Sequence, residues 1–419
     1  MKNRFAKSRR SHMLLRGLAG RENRVAELQS VLTACQALGP DNGGPGELEK
    51  IRCITDWLKA CSVTDLTRLD APDPRVPEGL RPNLVALMPG KGRRTLWLFG
   101  HTDVVPPGDL TAWSGDPWQV RREGDWLYGR GVEDNQQAIV SMLLLAEELA
   151  AHGLTPELNL GMVFMADEET GNTYGLRRIL TAAPELFSPD DLYIVPDAGS
   201  PVGDAIEVAE KGQLWLRVRT TGAQCHASAP QQGRNAFLAG ADMVLAAHNG
   251  LRAAFADANP LFIPPFSTFV PSKHEPNVPN INTVPGSDVF YLDCRLLPQV
   301  DPEAVLARLQ ATAAEVGARH RVRIEVETVQ WQPATAAPVV SPVVTALRAA
   351  VARIYGVEAR PVGIGGGTVA ALLRERGLPA VVWSCIANTC HQPNERSSIT
   401  ATLKDAQVFA HILMNAAHV

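Results

Sequence analysis

The stretch TLWLF at 95–99, followed by Gly100 and His101, decides the fold class of this 419-residue chain. It is a short apolar run of strand length, without alternation of polar and apolar residues. Three further runs of the same kind are LNLGMVFMA (158–166), DLYIV (191–195) and LPAVVWSCI (378–386). Runs of this type are typical of a sheet covered by helices on both faces. The sequence therefore predicts an α/β protein with a doubly wound sheet.

A helix is predicted between the first two runs, from Asp134 to Ala151. Its apolar stripe consists of Ile139, Met142, Leu143, Ala146 and Leu149. Asp134 is a favourable N-cap, and Gly153 lies just past the end.

The middle third of the chain has a different pattern. Three segments alternate like half-buried antiparallel strands: QLWLRVRTTG (213–222), DVFYLDCRL (288–296) and RVRIEVETV (321–329). Helical patterns lie between them at Ala236–His248 and Pro302–Val316, whereas Pro264–Pro285, rich in Pro and Asn, predicts an irregular loop. A β-α-β-β-α-β order is that of a two-layer ferredoxin-like unit.

Apolar runs resume after about Pro338, so this small domain is predicted to be inserted into the larger one. We therefore expect a catalytic domain at 20–211, an inserted domain at 212–331 and the second part of the catalytic domain at 332–419.

Composition narrows the function classes. The 40 basic and 44 acidic residues give a net charge of −4, which disfavours nucleic-acid binding. The chain contains no apolar stretch of about 18 residues, so no membrane span is predicted. The seven cysteines are scattered and form no CxxC pair, which favours reduced thiols and a cytoplasmic location. The first ten residues carry five basic side chains and no acid, which predicts a solvated basic arm, with a phosphate- or partner-binding arm as the alternative.

Acids and histidines follow every apolar run. His101 and Asp103 come after the first run, and the later runs are followed by Glu168 and Glu169, by Asp197 and by His391. In open α/β sheets, ligands bind beyond the carboxyl ends of the strands, so these side chains are expected to converge.

Two histidines and several carboxylates, with no cysteine required, suit Zn²⁺ or a harder divalent ion. Asp134 lies in the turn GRGVEDNQQ and is placed to bridge two metals, which would polarise a carbonyl and activate a water. Asp103 is better suited to orient His101 than to bind metal. The Glu168–Glu169 pair divides into one metal ligand and one free general base.

Each of these motifs also has a structural explanation when it is taken alone. A glutamate doublet is usually a solvated surface pair, an aspartate before a helix is usually a cap, and a lone histidine near the end of a chain is usually structural. The joint pattern favours the metal site, because otherwise each strand end needs a separate explanation.

The motifs together resemble a known enzyme family. GHTDVVPPG (100–108), LYGRGVEDNQQA (127–138), ADEETG (166–171), PDAGSP (196–201) and CHQPNE (390–395) are similar to those of the acetylornithine deacetylase and succinyl-diaminopimelate desuccinylase family, which includes aminoacylases, glutamate carboxypeptidase and dipeptidases. The resemblance covers nearly the whole chain from about Glu22. It implies a phosphorylase/hydrolase-like catalytic domain with an inserted ferredoxin-like dimerisation domain.

The resemblance also implies roles for the site residues. One zinc would be held by His101, Asp134 and Asp197, and the other by Asp134, Glu169 and His391. Co²⁺ or Mn²⁺ could substitute. Glu168 would act as the general base on the bridging water, and Asp103 would steady His101.

The inserted domain of this family forms a homodimer. His226 in CHASAP (225–230) would reach the partner's active site and stabilise an oxyanion. Asn282 and Arg295 would contact a substrate carboxylate, and Thr368 in the glycine-rich turn at 363–371 would be a polar contact. Many relatives have an acid where this chain has Val369, which leaves the substrate preference open.

Three hypotheses follow. The first is a cytoplasmic dizinc amidohydrolase, a deacylase that cleaves the amide bond of a small-molecule N-acyl amino acid. The second keeps the metals and makes the protein a metallopeptidase, either a dipeptidase or a carboxypeptidase. The third is a metal-dependent binding or regulatory protein without catalysis, which the presence of Glu168 and His226 disfavours.

Overall fold

The computed structural model describes residues 2–416, with side chains described from residue 9 onward. The basic side chains of Lys2, Arg4 and Lys7 in the predicted arm therefore lie outside the described residues. The fold is a mixed α/β fold with one large mixed sheet.

The helices are α1 (Lys2–Ala19), α2 (Glu22–Ala34), α3 (Leu48–Ala60), α4 (Gln136–Ala151), α5 (Leu176–Ala182), α6 (Ala236–Ala254), α7 (Pro302–His320), α8 (Pro342–Ile354), α9 (Ala370–Glu375) and α10 (Ile399–Asn415). The strands are β1 (Asp65–Arg68), β2 (Ala71–Pro72), β3 (Leu80–Arg81), β4 (Leu84–Met88), β5 (Thr95–His101), β6 (Arg121–Glu123), β7 (Trp126–Tyr128), β8 (Asn159–Met165), β9 (Leu192–Val195), β10 (Ala205–Glu210), β11 (Gly212–Thr221), β12 (Cys225–His226), β13 (Thr268–His274), β14 (Thr283–Val284), β15 (Ser287–Leu296), β16 (Arg323–Gln332), β17 (Thr335–Ala336), β18 (Arg360–Ile364), β19 (Ala380–Val382) and β20 (Arg396–Ser398).

The described chain divides into two compact units. The first contains the residues up to Val208, Ala337–Pro361 and those from Thr368 onward. The second contains Ala209–Ala336 and the short segment Val362–Gly367, which the sequence-based boundaries placed in the catalytic domain. The first unit also includes α1, which precedes the predicted boundary at residue 20.

The large sheet of the first unit has the strand order β1-β4-β8-β5-β9-β19-β10. The four apolar runs of the sequence form its centre, β8-β5-β9-β19, and these neighbours are parallel. β4 and β10 join this centre as antiparallel strands. Because the four central strands are parallel, their carboxyl ends meet at one edge of the sheet.

Each face of this sheet is covered by helices. On one face, Trp97 and Phe99 of β5 belong to an apolar cluster that includes Leu176 and Ile179 of α5 and residues of α9. On the other face, α4 packs so closely that a Cβ on Gly100 would lie 2.9 Å from the side chain of Met142. The continuous apolar runs are therefore explained by burial on both sides.

Gly161 of β8 lies opposite Trp97 of β5, and the indole ring covers the glycine. A Cβ at residue 161 would lie 2.3 Å from the ring, which is itself 1% exposed and donates its N–H to Asp191 at 3.0 Å. Burial and this hydrogen bond hold the ring in place, so it cannot move away at low cost.

We expect Gly161→Ala to lower the free energy of unfolding by about 1–3 kcal/mol, because the added methyl overpacks a filled core. Urea unfolding followed by tryptophan fluorescence measures this. Gly20→Ala is the control, since a Cβ there meets nothing within 4 Å. Equal unfolding midpoints for the two variants would contradict this account of the core.

In the second unit the main elements follow one another as β11, α6, β13, β15, α7 and β16. Their sheet has the order β13-β15-β11-β16, and all neighbours are antiparallel. Alternate residues of β11, such as Leu214 and Leu216, are buried in a cluster with Met243 of α6 and Leu309 of α7. The two helices therefore cover one face of this sheet.

One local prediction is wrong. The segment Pro264–Pro285 is not an irregular loop throughout, because it contains β13 and β14. Pro271 lies inside β13, where the pairing with β15 shifts register before Lys273. A proline is tolerated there because β13 is an edge strand with an irregularity at that position. The high content of Pro and Asn concealed this strand.

Candidate active site

The acids and histidines predicted from the strand ends converge in the first unit. His101 is the last residue of β5 and pairs with Met165, the last residue of β8. Glu168 and Glu169 follow β8 by a few residues, and Asp197 follows β9. Parallel pairing of these strands brings their carboxyl ends together at one edge of the sheet.

Asp134 lies between the two histidines. Its Oδ1 is 2.8 Å from Nε2 of His101, and its Oδ2 is 3.2 Å from Nε2 of His391. His391 Nε2 is also 3.2 Å from Oε2 of Glu169, and His101 Nε2 is 3.5 Å from Oδ1 of Asp197. One carboxylate oxygen therefore faces each histidine, which is the arrangement that a bridging ligand requires.

Two sets of side chains could each hold a metal ion, with all ligand atoms of a set within 4.8 Å of one another. The sets are His101–Asp134–Glu169 and His101–Glu168–Asp197. Imidazole nitrogens and carboxylate oxygens without a thiolate suit Zn²⁺ and harder divalent ions. The donor chemistry therefore fits a divalent metal centre.

The predicted N-cap role of Asp134 is wrong. α4 begins at Gln136, its N-cap residue is Asn135, and no side chain caps the helix. The Asp134 carboxylate lies against His101 and His391 instead, which leaves it unable to bond the first turn of the helix.

Sequence reasoning also missed Asn135, whose Nδ2 donates to Asp197 Oδ1 at 2.7 Å and to the Pro196 carbonyl at 3.0 Å.

Asp103 contacts both the histidine and the glutamate pair. The Nδ1 of His101 is 3.0 Å from the backbone carbonyl of Asp103 and 3.5 Å from its Oδ1. The carboxylate accepts hydrogen bonds from the backbone N–H groups of Glu168 and Glu169, each at 3.1 Å. Asp103 thus orients the turn that contains Glu168 and Glu169 as well as the imidazole of His101. The HxD spacing alone does not reveal the contact with this turn.

The surroundings of the Glu168 carboxyl group disfavour its ionised form. Burial raises its pKa well above the usual value, and the charge of Asp197 raises it further, while His101 opposes this shift. A divalent cation beside Glu168 would lower the pKa again.

The two histidines respond to the carboxylates around them. Hydrogen bonds to Asp134 and Glu169 raise the pKa of His391 to about 10, against the effect of burial. Burial lowers the pKa of His101, but hydrogen bonds to Asp103, Asp134 and Asp197 outweigh it and the net shift is upward. The carboxylates around the two histidines thus favour positive charge at this site.

A buried ion cluster supports the turn that carries Glu168. Asp167 has a left-handed backbone with φ of 62°, and its Oδ2 accepts a hydrogen bond from the Tyr174 N–H at 2.9 Å. Its Oδ1 is 3.6 Å from Nη1 of Arg81, a fully buried guanidinium that also pairs with Glu47. Sequence reasoning missed this cluster because its members are remote in the chain.

In the second unit, His226 and Asn282 are neighbours. β12 pairs with β14 so that His226 lies opposite Thr283, and the Ala227 N–H donates to the Asn282 carbonyl at 2.8 Å. The Ser228 N–H donates to Nδ1 of His226 at 3.1 Å. A neutral imidazole that accepts at Nδ1 carries its proton on Nε2, which is the form that can donate to an oxyanion.

Arg295 is already engaged by protein groups. Its Nε and Nη2 bond Asp293 at 2.7 and 3.0 Å, and its Nη1 bonds the Gly365 carbonyl at 3.0 Å. A substrate carboxylate would therefore share this guanidinium with Asp293 or displace it.

Thr368 and Val369 lie directly before α9 in the first unit. The Oγ1 of Thr368 accepts a hydrogen bond from the Ala370 N–H at 3.1 Å. Val369 is fully buried in the apolar cluster beneath the sheet, so an acid at this position would be a buried charge. This packing explains the valine.

The α/β fold and the cluster of side chains that could hold a metal ion are those expected of a metal-dependent hydrolase. The family profile for Peptidase family M20/M25/M40 matches residues 97–415, and the chain belongs to this family. The resemblance inferred from the motifs is thereby confirmed, and the protein is a metallohydrolase that acts on amide bonds.

Relatives extend over almost the whole chain. An uncharacterized metallohydrolase of Methanococcus maripaludis is 36% identical over 411 residues, which cover 92% of this chain and 98% of the relative. The succinyl-diaminopimelate desuccinylase of Paracoccus denitrificans is 26% identical over 392 residues, covering 93% and 97%. Human carnosine dipeptidase 1 shares the fold, with a TM-score of 0.75 at 14% identity and coverage of 98% and 99%.

Among the residues that the structure describes, no helix combines the length and the apolar character needed to cross a membrane. All seven cysteines are free.

Proposed function

We propose that the protein is a dizinc deacylase that hydrolyses the amide bond of an N-acyl amino acid to a free amine and a carboxylic acid. The observation that carries this proposal is the position of Asp134, which has one carboxylate oxygen toward each of two histidines, in a cluster that also includes Glu168. The desuccinylase among the relatives, which covers nearly the whole chain, supports the same substrate class.

In this proposal His101, Asp134 and Asp197 hold one zinc ion. The second is held by Asp134, Glu169 and His391, with Co²⁺ or Mn²⁺ as possible replacements. When bound, the metal pair polarises the scissile carbonyl and activates a water molecule.

The protein residues then move the protons. Glu168 takes a proton from the attacking water and later delivers it to the nitrogen of the leaving amine. Asp103 holds the backbone of the Glu168–Glu169 turn, and Asn135 holds the Asp197 carboxylate. The carboxylate of Glu168 therefore meets the reacting atoms from a fixed direction.

The substrate carboxylate is proposed to bind Arg295, with Asn282 and Thr368 as further polar contacts. If so, replacing the free carboxylate of an N-acyl amino acid with a carboxamide should lower kcat/KM by about 10- to 150-fold, the effect of losing one charged hydrogen bond. In the Arg295→Lys variant, kcat/KM for the carboxylate substrate and for its carboxamide should differ less than in the wild type, because lysine cannot form the bidentate contact.

The measurement is kcat/KM of the zinc-reconstituted protein on N-acetyl, N-succinyl and N-formyl amino acids, their carboxamides and a set of dipeptides. Chelator-treated protein is the control and should be inactive. Equal rates on acids and carboxamides would refute the carboxylate anchor, and turnover of dipeptides alone would replace the deacylase with the peptidase alternative.

The second unit is proposed to be a ferredoxin-like dimerisation domain inserted into a doubly wound catalytic domain. Its β-α-β-β-α-β order supports this assignment. α6 also carries exposed apolar side chains, Phe237, Leu238 and Leu245, of the kind that mark an interface. In such a homodimer His226 would act on the partner's substrate.

We also propose a cytoplasmic location. The seven free cysteines support it, because disulfides persist mainly in oxidising compartments.

A further inference from the structure

Asp134 and His391 lie on two loops without regular secondary structure. A glutamate carboxylate from each loop accepts hydrogen bonds from the backbone of the other loop. The Glu133 carboxylate is 4% exposed and lies next to Asp134 in the chain. It accepts hydrogen bonds from the backbone N–H groups of the His391 loop, those of Ala387, Thr389 and Cys390 at 2.8, 2.6 and 3.1 Å. It also accepts the Thr389 hydroxyl at 3.3 Å.

The reverse contact is made by Glu395, which is fully buried and follows His391 in the chain. Its carboxylate accepts hydrogen bonds from the N–H groups of the Asp134 loop, those of Gly131, Glu133 and Asp134 at 3.0, 2.9 and 3.0 Å. The guanidinium of Arg130 adds a contact at 2.6 Å. The two glutamates thus accept six backbone N–H groups from two loops that are remote in sequence.

The His391 loop needs such support. Asn388, His391 and Asn394 have φ of 59°, 60° and 59°, in the left-handed region that residues other than glycine rarely adopt. Backbone of this kind persists only where the surroundings hold it. The hydrogen bonds of Glu133 end at Cys390, directly before the histidine.

Neither glutamate belongs to the sets of side chains that could hold a metal. The oxygens of both carboxylates are directed at N–H donors, so their lone pairs are used within the loops. Their contribution to the site is therefore made through Asp134 and His391.

We propose that Glu133 and Glu395 are positioning residues that fix the separation of Asp134 and His391 and so determine the affinity of the metal site formed with Glu169. This inference rests on the metal-ligand roles proposed above for Asp134 and His391. Glu133 and Glu395 have no role assigned by the sequence motifs, and the proposal adds them to the residues that support the metal centre.

The test is zinc binding by the metal-free full-length chain, measured by competition with a chromophoric chelator. Asp191→Ala is the matched control for Glu133→Ala. Asp191 is also a buried carboxylate, and it accepts the Thr95 N–H at 2.7 Å and the Trp97 indole N–H at 3.0 Å. It supports the start of β5, whereas His101 is at the end of that strand.

We expect Glu133→Ala to lower the affinity for the second zinc ion by about 10- to 100-fold, the usual effect of removing a group that orients a metal ligand. Asp191→Ala should leave both affinities unchanged, whatever it does to stability. The d–d absorption spectrum of the Co²⁺-loaded protein should change in the first variant and not in the control. Equal zinc affinities in the two variants would overturn the proposal.

A double variant separates positioning from general stabilisation. In the His391→Ala background, Glu133→Ala should have no further effect on zinc affinity, because the ligand that it positions is absent. Additive losses would show that Glu133 acts by stabilising the fold, and would also overturn the proposal.

If Glu133→Ala does not fold, Glu133→Gln provides the same comparison. Its amide oxygen can still accept the N–H groups of Thr389 and Cys390, so we expect an intermediate zinc affinity; wild-type affinity would contradict the proposal. The wild-type titration separates the two levels of inference. Fewer than two zinc ions per wild-type chain would refute the dizinc function, whereas two ions bound with equal affinity by wild type and Glu133→Ala would refute only the positioning role.

Discussion

Glu168→Gln is expected to lower kcat by about 10²- to 10⁴-fold, the usual contribution of a positioned general base, while the protein still binds two zinc ions. The amide keeps the shape of the side chain and cannot accept the proton of the attacking water. The backbone N–H of residue 168 still donates to Asp103, so the turn is expected to remain in place. The measurements are kcat on the best N-acyl substrate and metal content by atomic absorption.

Glu169→Gln is the matched control, because it makes the same chemical change at the neighbouring residue. Glu169 faces His391, so its replacement should reduce metal content together with activity. If Glu168→Gln keeps wild-type activity, or if it loses metal as Glu169→Gln does, then Glu168 is not the base.

The second prediction with a large effect concerns His226. His226→Ala should lower kcat by about 10²- to 10³-fold, as expected when one donor to an oxyanion is removed. If this histidine serves the partner's active site, mixing His226→Ala with Glu168→Gln chains should restore activity. A chain that has Glu168 and lacks His226 would receive the histidine from its partner.

Random re-association of equal amounts of the two variants should give about a quarter of the wild-type activity, because half of the dimers are mixed and each mixed dimer has one complete site. The chains are mixed after dissociation, and differently tagged copies confirm that mixed dimers form. The same protocol with His226→Ala alone is the control and should stay inactive. Mixed dimers without restored activity would show that His226 does not act across the interface.

Much of the first unit could be predicted because burial leaves a local signal. The apolar runs around residues 95–99 and 158–166 form central parallel strands, and the polar residues that follow them meet at one edge of the sheet. Other predictions depended on context and were wrong. The local sequence does not indicate β13, because Pro271 fits a strand only at an irregular edge. It indicates a helix cap at Asp134, because the tertiary contacts of that residue are absent from the local pattern.

The sequence by itself determined the four central strands of the large sheet, the family and the chemical identity of the donors at the strand ends. The tertiary structure alone decided which oxygen of Asp134 faces which histidine, that Asp103 binds the glutamate turn, and that Glu133 and Glu395 connect the two ligand loops. The reason is physical. Strand and helix patterns arise from burial with a short period along the chain, whereas hydrogen bonds between distant loops depend on how the packed elements bring those loops together.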